Sequence, residues 1–76
     1  MTLGQFEESL RALLRRQPFE PFEVELLDGE RFTVDRNDAV SIGGGSAGFI
    51  GEDGMVRFFD WRNTRRLGTS ISNAPA

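Results

Sequence analysis

The chain has 76 residues, a formal net charge of −3, no cysteine and no histidine. That length suits one domain. The missing residue types exclude disulfides, thiolate or imidazole metal ligands, Ser-His-Asp triads and Cys-His pairs. Catalysis by this chain alone is therefore not expected, nor is a metal or a cofactor.

Residues 3–16 read as a helix. Leu3, Phe6, Leu10, Leu13 and Leu14 recur at helical spacing as one apolar stripe. Thr2 and Gln5 fit a capping box, and Glu7 pairs with Arg11 at i,i+4. Glu7 and Glu8 lie early and Arg11, Arg15 and Arg16 late, as the helix dipole favours. Pro18 disfavours continuing the helix through Gln17. Residues 18–22, Pro-Phe-Glu-Pro-Phe, form an extended connector, with Phe19 and Phe22 pinning it to the core.

Residues 22–34 read as a hairpin. Phe22, Val24 and Leu26 alternate with Glu23 and Glu25, Asp28-Gly29 supplies a two-residue turn signal, and Phe32 and Val34 alternate with Arg31 and Thr33. A polar turn at 35–38 leads to a short third strand at 39–42. The glycine run 43–48 breaks that strand, and Phe49-Ile50 resumes extended structure. Residues 51–54 form a second hairpin loop around Asp53-Gly54. A fourth strand covers 55–60, a tight turn 61–63, and a last strand 64–71; residues 72–76 read as a frayed tail. Residues 1–71 are thus one domain.

No apolar run approaches the roughly 18 residues of a membrane span. Residues 1–8 lack the basic stretch and apolar run of a secretory signal, so a cytoplasmic location and no membrane partner are expected. A domain this small hides only about 60% of its unfolded surface, and oligomerisation is a common way to bury more.

Candidate sites are few. The run 43–48 lacks the lysine and hydroxyl that end a phosphate loop and joins two strands, so it reads as a flexible loop. Asp60, between a strand and a turn, reads as a turn cap without the second carboxylate of an acid/base pair. In the fourth strand Val56 and Phe58 point one way while Met55, Arg57 and Phe59 point the other, so both faces need cover. Met55, Phe59 and Trp61 are the candidate interface residues. Arg62, Arg65 and Arg66 flank Trp61, and basic residues beside an aromatic suit a phosphate backbone and a stacked base; the competing reading closes Trp61 on the core and leaves the arginines solvated or paired. All nine basic residues are arginine, whose planar fork suits phosphate and carboxylate, although an acidic balance is not that of most nucleic-acid binders.

Residues 16–34, with the Pro-Phe-x-Pro-Phe connector and the strand–Asp-Gly–strand hairpin, resemble a group of small uncharacterised bacterial proteins abundant in planctomycetes; Phe58-Phe59-Asp60 resembles that group's C-terminal half. The resemblance implies a leading helix and this hairpin, and no activity. Val24 to Phe32 is also similar to the first hairpin of Sm-like (Hfq-like) proteins, with Val34 where those proteins usually have glycine. That similarity implies an N-terminal helix on a strongly bent five-stranded sheet. The expected fold is therefore α+β, a helix packed on a strongly twisted five-stranded antiparallel sheet that tends to a small SH3-like or Sm-like open barrel. The expected function is a non-enzymatic module that self-associates or docks on a protein partner; the alternative is an Sm-like RNA-binding protein using Arg62, Arg65 and Arg66.

Overall fold

A computed structural model describes residues 1–51 and 53–68. It has one helix, α1 (Leu3–Leu14), and six strands: β1 (Phe22–Leu26), β2 (Arg31–Val34), β3 (Val40–Gly43), β4 (Ser46–Ile50), β5 (Val56–Asp60) and β6 (Thr64–Gly68). The strands form two three-stranded antiparallel sheets, ordered β2-β1-β6 and β3-β4-β5. The α+β class is as expected. The single five-stranded sheet is not what forms. The expected strands ending at Val34 and starting near 39 do not pair with each other, and Ser46–Ile50 adds a sixth strand. The polar segment between bends away, and Asn37 Nδ2 donates to the Leu14 carbonyl at the end of α1 (3.4 Å). Arg36 bonds Asp38 at 3.2 Å and holds its carboxyl below the usual carboxylate range.

The helix begins as its sequence dictates. Thr2 Oγ1 accepts from the Gln5 amide (3.1 Å) and Gln5 Oε1 accepts from the Thr2 amide (3.0 Å), which satisfies two otherwise orphaned donors. It ends with the stripe at Leu14, two residues before the expected end, with Arg15 as its C-cap. Phe6 and Leu10 are fully buried, while Leu13 and Leu14 pack at the margin of the core. In the connector Phe22 is buried and Phe19 packs edge-on against it, so these two rings do pin the chain.

Both Asp-Gly segments carry the same bonding pattern, which at Asp28-Gly29 makes the loop one residue longer than the two-residue turn expected. Around Asp28, Leu26 N donates to Glu30 O, Gly29 N to Leu26 O, and Glu30 N to Asp28 Oδ1. Around Asp53, Gly51 N donates to Met55 O, Gly54 N to Gly51 O, and Met55 N to Asp53 Oδ1. Gly29 (φ 94°) and Gly54 (φ 82°) adopt the left-handed backbone that a three-residue hairpin loop places at its end. The aspartate caps the amide that follows the glycine.

The glycine run is not a flexible loop. Gly44 (φ 60°) and Gly45 (φ 83°) are the two central residues of a tight hairpin, with Gly43 opposite Ser46. Ser46 to Ile50 then continues as β4, the central strand of its sheet. Gly45 is where three elements meet. Its amide donates to Glu7 Oε2 of α1 (2.7 Å), and its carbonyl accepts from the Trp61 amide of the β5–β6 turn (3.0 Å). A Cβ there would stand 2.8 Å from Trp61 Cδ1 and 2.9 Å from Leu3 Cδ1. The expected strand residues beyond Gly68 and the tail 72–76 lie outside the described residues.

Among the described residues no helix is long and apolar enough to cross a membrane. Replacing Gly44 by alanine is expected to cost about 1–2 kcal/mol for its left-handed backbone alone. Gly45→Ala adds displacement of Trp61 and Leu3, so its urea midpoint should fall further than that of Gly44→Ala; equal midpoints would remove the junction from the account.

Candidate functional site

The two faces of β5 have different fates. Phe59 is 2% exposed and lies in the core, whereas Phe58, one residue earlier, is 76% exposed. Phe59 contacts Phe6 of α1 edge-to-face (5.8 Å) and Phe32 of β2 (5.4 Å). The core cover for this face is thus the helix together with the other sheet, and Phe59 is not available to an interface. This corrects the assignment of Phe59 as an interface residue: a second large ring inside a small core takes the space that α1 and β2 leave between the sheets.

The other two candidate interface residues do not gather around it. Met55 is exposed in the β4–β5 loop. Trp61 is half-buried against the core and Gly45, in keeping with the reading in which it closes the domain.

The arginines separate in the same way. Arg66 lies opposite Glu25 on β1 and its Nε bonds Glu25 Oε1 at 3.2 Å. It is committed to a cross-strand pair. Arg62 stacks its guanidinium over the Trp61 ring at 5.7 Å. Arg65 is exposed on β6, with no ion pair among the described residues. Arg62, Arg65 and Arg66 therefore do not form one converging cluster. Asp60 is a turn cap as expected: its Oδ1 accepts from the amides of Arg62 and Asn63 (both 2.9 Å), and Asn63 Oδ1 accepts from the Asp60 amide (2.9 Å).

The surface that stands out is the outer face of the sheet β3-β4-β5. The register brings Ser41, Gly48 and Phe58 into one cross-strand row, Gly43, Ser46 and Asp60 into a second, and Ile50 beside Val56 into a third. Ile50 and Val56 are each about half exposed, at 51% and 49%. The Phe58 ring lies across Gly48, where a Cβ would stand 3.3 Å from Phe58 Cε1. Glycine on β4 thus lets the ring lie closer by a few tenths of an ångström than a Cβ would allow, and the ring in turn covers the bare glycine backbone. Beside it runs a trough of about 410 Å³, walled by Phe58 and Ile50 and floored by Ser41, Gly43, Ser46 and Gly48. No charged side chain lines it.

Alternation in β5 identified Val56 and Phe58 as one face, but periodicity alone does not say which face is inside. Gly48 could have flagged it: a glycine opposite an aromatic marks a place where the ring lies over the neighbouring strand. Reading 43–48 as a loop hid that pairing.

A second, more polar cleft of about 430 Å³ runs between the sheets. It is lined by Arg31, Asp35, Asp53 and Arg57 around the stacked rings of Phe32 and Phe49. Arg57 packs over Phe32 at 5.5 Å. Its two acids balance its two arginines, so it presents no net charge to a ligand. Among the described residues no group of three or more acidic side chains is placed to hold a metal ion.

In comparisons with known proteins, no family model, no curated protein and no solved structure matches the chain.

The contrast between neighbouring phenylalanines is measurable. Phe59→Ala is expected to cost about 3–5 kcal/mol, close to the whole stability of a domain this size. Phe58→Ala gives up only a cross-strand contact worth up to about 1 kcal/mol. Urea denaturation of the two variants checks this, and similar losses would place both rings in the core.

Proposed function

We propose that this chain is a non-enzymatic protein-interaction module whose working surface is the outer face of β3-β4-β5. One observation carries the reading: Phe58, 76% exposed, stands beside Ile50 and Val56 over a trough that no charged side chain lines. Single exposed apolar residues are ordinary on monomers, but a contiguous apolar patch rimmed by polar groups is a mark of interaction surfaces. Covering these three side chains would contribute roughly 4 kcal/mol at the usual value for buried apolar groups. Association itself costs about that much or more. The face therefore supports a weak or transient contact.

The strand order supports a finer account of the fold. Read from β6 through β1 and β2 and on through β3, β4 and β5, it is the order of a five-stranded meander whose last strand returns to its first and whose second strand is interrupted at 35–39. An SH3-like or Sm-like open barrel has this arrangement, and we read the domain as one. A cytoplasmic setting suits such a module.

The module reading predicts that Phe58→Asp keeps the wild-type circular dichroism spectrum and cooperative unfolding. Native mass spectrometry of the variant purified from its own host should then show loss of the assembly formed by the wild type. An unchanged assembly would show the face to be idle.

A second reading, RNA binding of the Sm-like kind, draws on Arg62 stacked on Trp61 and on the exposed Arg65. It predicts affinity that falls steeply with salt. Replacing Arg62 and Arg65 by glutamine should lower the salt slope by about 1 for each arginine. Filter binding of single-stranded RNA by a monodisperse preparation is the check, and an unaltered slope removes both arginines from that role.

A further inference from the structure

We propose that the occupant of the outer face is a second copy of this chain, related by a two-fold axis, with Phe58 of each copy seated in the trough of the other. The inference rests on the interaction-module reading and specifies its partner.

A two-fold interface requires one patch that is complementary to itself. This face carries both halves of such a fit. The Phe58 ring, laid over Gly48 and 76% exposed, is a ridge on the sheet, and the trough beside it is lined by serine and glycine, whose small side chains leave room for a second ring. The knob and the trough share a cross-strand row, since Ser41 pairs with Gly48 and Gly48 with Phe58. Turning a second copy about a two-fold axis that lies in the interface, parallel to the sheet and along its strands, opposes the two faces and brings each ring over the small residues of the other copy.

Charge points the same way. The chain carries a net −3, so two copies repel over most of their surfaces, and like charges brought together across an interface are costly. The trough is free of charged side chains. Asp60, at its rim, has its carboxylate turned back onto the Arg62 and Asn63 amides. This is a face on which copies of an acidic chain can meet without opposing carboxylates at the centre.

Area sets the strength. Three strands of four to five residues span a footprint of roughly 14 Å by 16 Å at ordinary strand spacing and rise. That is roughly 450 Å² for the two copies together, well below the total of about 1,200 Å² at the low end of the range for specific interfaces. The dimer is accordingly weak and responds to concentration.

Sedimentation equilibrium of the full chain over a wide concentration range tests this. The wild type should pass from monomer to dimer. Phe58→Ser, which removes the knob, and Ser41→Glu, which places a charge in the trough at an exposed position, should both be folded monomers by circular dichroism. Mixed together, the two variants should form a heterodimer through the one remaining intact contact, weaker than the wild-type dimer but absent from either variant alone. A wild type that stays monomeric at every concentration, or a dimer indifferent to both substitutions, overturns the inference. If the wild type is monomeric yet Phe58→Ser abolishes a complex with a different protein from the host, the second copy is ruled out while the module reading stands. If Phe58→Ser affects no assembly of either kind, both fall.

Discussion

Phe59 touches Phe6 of the helix and Phe32 of the opposite sheet, and Phe32 stacks in turn on Phe49 at 6.3 Å with its ring plane nearly parallel. This chain of rings runs from α1 to β5, across to β2, and back to β4. Neither three-stranded sheet has enough apolar surface to persist alone, and a short helix is marginal without a face to cover. The aromatic contacts, together with buried Leu10, Val24 and Val34, turn three weak elements into one core. The Gly45 junction then fixes how they are assembled, because one residue bonds both α1 and the β5–β6 turn.

That core has a consequence on the outside. A strand buries alternate side chains, so placing Phe59 inside obliges Phe58 to face out. The helix covers the inner side and no second helix follows among the described residues. The outer face of β3-β4-β5 is therefore left with an apolar ridge and a row of small residues. The same chain that is short of core exposes material for one more layer. An apolar face of this kind is what the domain presents on that side.

The arginines show how tertiary pairing sorts residues of one type. Arg11, Arg16, Arg36 and Arg66 are tied to acids, and Arg57 and Arg62 lie over aromatic rings. Surface ion pairs of this sort contribute little to stability individually, but each removes an arginine from the pool that could meet an anion. The three arginines near Trp61 are neighbours in sequence and meet three different environments in space.

Local features were legible wherever one stretch of chain dictates its own bonding. The Thr2–Gln5 capping box, the Glu7–Arg11 pair, the β1–β2 hairpin and the Asp60 turn all follow from side chains a few residues apart. The α+β class follows from a helical period at the start and strand alternation after it. What the chain order left open was decided by contacts between distant elements. Asn37 reaching the end of α1 carries the chain away between β2 and β3, which therefore lie in different sheets. Glu7 and Trp61 holding Gly45 make a hairpin of the glycine run, which by composition alone has no partner to order it. Whether Phe58 or Phe59 enters the core depends on which side of β5 the helix and the other sheet occupy. Alternation identifies two faces but cannot say which is inside, because that is a property of the neighbours and not of the strand.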